Sequence, residues 1–161
     1  LRYKKWISKM QNSRKIQINN LKILLNNEEL FDGGKDWALL ILRVIPSFYL
    51  FFYHGLDKIT AGTESWNWLG GAVLSIFGIS FGHVLFGFFA ALSEGILTLL
   101  VLIGFKTRLA SLFIMITMFF AGVYHLSEGD NPESAFIYFT VYFTLLFCGP
   151  GQFSIDEKLD K

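Results

Sequence analysis

Residues 65–105 read SWNWLGGAVLSIFGISFGHVLFGFFAALSEGILTLLVLIGF, and Glu94 is the only Asp, Glu, Lys or Arg among them. Two further runs, 109–127 and 134–155, carry no such charge at all. A helix needs about 20 mostly apolar residues to cross a bilayer core of roughly 30 Å. A soluble chain of 161 residues has no core large enough to hide three such runs. Residues 37–56, WALLILRVIPSFYLFFYHGL, are a fourth candidate, with Arg43 and Pro46 inside it. Spans are therefore expected at about 37–56, 82–104, 108–126 and 134–150. Barrel strands alternate apolar and polar residues over about ten positions, whereas these runs are apolar on every side. The bilayer leaves helices as the other solution. The expected fold is all-α, an integral membrane four-helix bundle over residues 37–158, with a basic amphipathic N-terminal extension over 1–36.

The composition agrees. Hydrophobic residues make up 53% of the chain and charged residues 17%, against about 25% charged in soluble domains. Disorder is excluded by that hydrophobicity, and a lone cysteine, Cys148, excludes an internal disulfide framework. The net charge of +1 hides a division. Residues 1–22 hold Arg2, Lys4, Lys5, Lys9, Arg14, Lys15 and Lys22 with no acid, and the remainder is net acidic. Lys106 and Arg108 lie between the second and third spans, and Lys158 and Lys161 near the C-terminus. Residues 127–134, SEGDNPES, hold three acids and no base. By the positive-inside rule both termini face the cytoplasm and the 1–2 and 3–4 connections lie outside.

Residues 65–81 are expected to form an interfacial or re-entrant piece on the outer side. A fifth span would place Lys106 and Arg108 opposite the basic N-terminus, and the Gly70–Gly71 pair breaks a helix cheaply. Trp66 and Trp68 would then sit at headgroup level. In the N-terminal segment Tyr3, Trp6, Ile7 and Met10 share a helical face, as do Ile18, Leu21 and Leu25. That pattern suits an anionic membrane surface; the alternative is a solvated tail that only sets topology. The apolar core and cleavage site of a signal peptide are missing from it.

Ionisable groups inside a membrane cost about 2.5–3.5 kcal/mol each at mid-bilayer on insertion scales, so each needs a reason. Arg43, Ser47, His54 and Lys58 follow one face of the first span at helical spacing. Glu94 lies beside a small-residue seam, Gly87, Ala91 and Gly95, which lets another helix approach closely. An Arg43–Glu94 ion pair is expected, read either as a register-fixing pair or as a proton- or quinol-handling carboxylate poised by a cation. His54, His83 and His125 all fall at outer span ends, with Asp57 nearby. They suggest a polar pocket mouth rather than a metal centre, since no spacing matches a metal signature. Faces at Ser111, Met115, Met118, Gly122 and His125 and at Thr140, Thr144 and Cys148 read as packing surfaces. No phosphate-binding glycine loop, nucleophile–base set or nucleic-acid module is found.

Taken in order, YHGLDKI (53–59) preceded by Arg43, then Ser93-Glu94-Gly95, GFKTRLA (104–110) and GPGQFSID (149–156) resemble the DoxX family of small four-helix membrane proteins. The resemblance covers about residues 37–158. It implies a bacterial inner-membrane protein with Arg43, His54, Lys58, Glu94, Thr107 and Arg108 at family-typical positions. It further implies an accessory subunit of a quinone-linked redox complex, or a non-catalytic structural or assembly subunit. Quinone is the one cofactor it suggests, and other membrane subunits and the lipid bilayer are the implied partners. The chain alone carries no residue set sufficient for catalysis.

Overall fold

The computed structural model describes residues 2–26, 33–159 and 161, and every regular element among them is helical. The chain divides into two compact units, residues 1–35 and 36–161. The first unit contains α1 (Arg2–Asn26), one continuous helix of 25 residues. Leu21 and Leu25, assigned a face from their spacing, have side chains outside the described residues.

The second unit is built from α2 (Gly34–Thr60), α3 (Gly62–Ile76), α4 (His83–Ile103), α5 (Thr107–Glu128), α6 (Glu133–Cys148) and a short α7 (Ile155–Leu159). Three of them, α2, α4 and α5, are long and apolar enough to cross a membrane. With 16 residues, α6 is shorter than the expected fourth span and stops at Gly149, whose φ of +79° ends the helix. The first span extends beyond its expected limits at both ends. Pro46 lies within α2 without ending it.

The helix-breaking role expected of the glycine pair within 65–81 needs correction. The Gly70–Gly71 pair does not interrupt α3; Gly70 is where α3 touches α4. A Cβ on Gly70 would run into the carbonyl of His83, and one on Gly87 into that of Trp66. The two helices therefore lie backbone to backbone, and glycine here serves close approach rather than breakage. Rings extend the contact to α5, with Trp68 edge-on to Tyr124 at 6.5 Å and Phe77 to Phe120 at 5.9 Å. Trp66 is drawn inward as well: its indole Nε1 donates to the Lys58 carbonyl at 2.9 Å.

The core gathers Leu39, Leu50, Val101, Ala110, Ile114, Met118, Tyr142 and Leu145 from α2, α4, α5 and α6. Ser111, Met118 and Gly122 are buried on α5 as the packing reading required, Gly122 closely enough that a Cβ would meet Phe136 at 2.8 Å. The face at Thr140, Thr144 and Cys148 is different. Thr140 and Cys148 are exposed, and the threonine hydroxyls bond back to the carbonyls of Phe136 and Thr140. The face of α6 that packs is Ala135, Tyr142 and Leu145.

Candidate functional site

Both α2 and α4 open into one wide turn, at Phe51–Gly55 and Ser93–Leu97, where the backbone bonds i to i+5. Such turns insert an extra residue and shift the helical phase. The two meet: a Cβ on Gly55 would run into the Glu94 carbonyl and come within 2.9 Å of the Gly95 Cα. The freed carbonyl of Ser93 is taken up by the Thr98 hydroxyl at 2.9 Å, and the Ser93 hydroxyl donates to Phe89 at 2.8 Å.

Glu94 stands at this crossing, only 2% exposed. Its partner is Lys58, whose Nζ lies 2.6 Å from both carboxylate oxygens. The Lys58 side chain is 28% exposed, so one end of the pair is dry and the other reaches the surface. Proton exchange between ammonium and carboxylate, or withdrawal of Lys58, is the chemistry this geometry permits. Ser47, between Arg43 and Lys58 along α2, makes a second polar contact. The hydroxyls of Ser47 and Tyr142 lie 3.1 Å apart across α2 and α6, both fully buried.

Arg43 does not join Glu94. Its guanidinium, on a side chain only 2% exposed, donates to the carbonyls of Phe153 at 2.8 Å and Pro150 at 3.3 Å. It also fills the space beside Gly104, where a Cβ would overlap Nη1. Gly104 lies ten residues from Glu94 along one helix, about 15 Å. The guanidinium has turned to the end of the bundle, where bare main-chain carbonyls receive it. Asp156 completes that end. Its carboxylate accepts from the amides of Lys106 (2.7 Å) and Thr107 (2.9 Å), capping α5, and its own amide donates to the Gly104 carbonyl. Partial burial works to raise the Asp156 pKa, but those amides and the Lys106 charge outweigh it and hold the carboxyl below its ordinary value. Thr107 is fully buried, and Arg108 donates to the Leu146 carbonyl at 3.0 Å. The stretches 104–110 and 149–156 thus tie one end of the fold together.

The histidines stay apart. His54 is exposed, edge-on to Tyr138 at 6.2 Å. The wide turn has rotated it out and put Gly55 against the bundle in its place, breaking the straight stripe from Arg43 to Lys58. His83 contacts the Ile79 carbonyl at 3.2 Å, and His125 lies 3.8 Å from Asp130. Asp57 is exposed. Among the described residues no three His, Cys, Asp or Glu side chains gather as a metal site would require.

The sequence reading missed Tyr142, Trp66 and Asp156 as polar partners. Tyr142 is one of five hydroxyl-bearing residues on α6, so nothing singled it out, and Asp156 stood in the quoted 149–156 stretch without its capping role being legible. No curated protein and no solved structure matches the chain. A family model described as DoxX matches residues 38–126, more than half of the chain.

Proposed function

Since the chain belongs to the DoxX family, we propose that it is an accessory subunit of a membrane-bound, quinone-linked redox complex, with Lys58 and Glu94 as its working charge pair. It is a membrane protein whose apolar helices contact the lipid bilayer. In this reading α6 completes four spans, both termini face the cytoplasm, and the membrane is the bacterial inner membrane. The observation that carries it is the placement of Glu94. A register-fixing charge needs only a buried partner, whereas Glu94 is paired with a lysine that reaches the surface. That arrangement supplies a route for a proton between the interior and the bundle surface, as quinol oxidation requires. The exposed rings of Tyr49 and Tyr53, stacked at 5.7 Å on α2, offer a flat surface near His54 for an aromatic headgroup.

Isolation of the complex in mild detergent tests the reading. Redox subunits and quinone co-isolating with the chain are expected; a lone chain free of both would contradict it. A non-catalytic structural or assembly role is favoured by a different feature, the Arg43 end of the fold, where every described hydrogen bond made by the guanidinium goes to a backbone carbonyl. On that second reading Glu94→Gln lowers the amount of protein in the membrane.

A further inference from the structure

The helix α1 lies outside the matched family region. It is continuous over 25 residues, about 37 Å, and the first 27 residues of the chain hold no acid. At 100° per residue Tyr3, Trp6, Ile7, Met10 and Ile18 form one stripe. Four of them, Tyr3, Trp6, Met10 and Ile18, are exposed, Tyr3 at 73% and Trp6 at 60%. Lys4 and Lys15 flank one edge of the stripe and Lys9 the other, all exposed. Arg14 interrupts it, on a stem long enough to lift its charge to the edge. Only residues 27–33 separate α1 from the membrane-crossing α2, so α1 is tethered at a bilayer surface.

We propose that α1 binds the anionic phospholipid headgroups of the leaflet it emerges beside, its Tyr3–Trp6–Met10–Ile18 stripe inserted at the acyl boundary and its lysines paired with phosphates. Trp and Tyr prefer that boundary, and basic residues flanking an apolar stripe are attracted to an anionic surface. A nucleic acid would satisfy the lysines but leave the apolar stripe in water, so the membrane accounts for both halves of the pattern. The attachment is electrostatic in part and weakens with salt.

The full chain in lipid nanodiscs tests this, with a spin label at Met10→Cys or Asn12→Cys in a Cys148→Ser background. In discs containing phosphatidylglycerol the Met10 label should meet dissolved oxygen and be shielded from a water-soluble nickel chelate. The Asn12 label, on the opposite face, should show the reverse. High salt, discs of phosphatidylcholine alone, or Lys4→Gln with Lys9→Gln and Lys15→Gln should each clearly reduce the shielding. Equal nickel access at both positions in anionic discs would overturn the proposal. So would shielding indifferent to lipid charge and salt, or shielding in detergent by co-purifying nucleic acid or protein.

Discussion

Glu94 is buried at 2% exposure and bound through both oxygens by Lys58. Breaking a buried pair by deleting one partner costs more than replacing both, because the remaining charge is left stranded. Lys58→Met should therefore destabilise by about 3 kcal/mol, the low end for such a loss, because Lys58 is itself part-exposed. Adding Glu94→Gln to it should restore most of that, as unfolding in detergent would show; an additive double variant would mean that the pair is uncoupled. Asp156 makes the second prediction. Its pKa in the folded protein lies below the ordinary 3.8, so its cap on α5 contributes fully above that ordinary value. The contribution fades as pH falls through the folded value. Stability should drop on acidification below about pH 4, and Asp156→Asn should flatten that fall.

At the scale of elements, two wide turns let α2 and α4 approach at Gly55 and Gly95. Gly55→Ala places a methyl against the Glu94 carbonyl, and main chain cannot swing aside as a side chain does. The cost should be about 3 kcal/mol, at the upper end for overpacking, with the Lys58–Glu94 contact opened, as measured by thermal unfolding. Ala at Gly33, where nothing lies within 4 Å, should leave that contact intact. These elements also show what was legible. Long apolar runs with at most one charge announced α2, α4 and α5, because crossing a bilayer is a demand on composition. The wide turns left no such mark, and they rotate His54 outward and Gly55 inward, so a stripe drawn at constant spacing fails beyond Ser47. Arg43 was recognised as buried, but its partners are carbonyls of Pro150 and Phe153, which every residue carries and no pattern singles out. Gly70 looked like a helix breaker, whereas Gly87 was read as part of a close-packing seam, and it is that seam which meets Gly70 and Trp66.

The whole molecule joins a basic helix to an apolar body whose acids, Glu94 apart, lie at loops and near helix ends. The proposed orientation has a direct check in cells, using an impermeant maleimide in a Cys148→Ser background. Asp130→Cys should be labelled from outside and Lys106→Cys only after the membrane is opened; labelling of both from one side would contradict four spans. The body also separates two charged sites, each with one buried member. Arg43 and Asp156 close one end of the bundle, and Lys58 with Glu94 sits where two helices open. The central claim is that this second pair works rather than merely holds, and Glu94→Gln tests it most directly when quinone-linked electron transfer is measured per amount of chain in the membrane. The account predicts the transfer lost with a near wild-type amount of protein, because the Lys58 left unpaired reaches the surface and can be hydrated, unlike a stranded Glu94. An amount that falls in step with activity, or activity that survives unchanged, would contradict it.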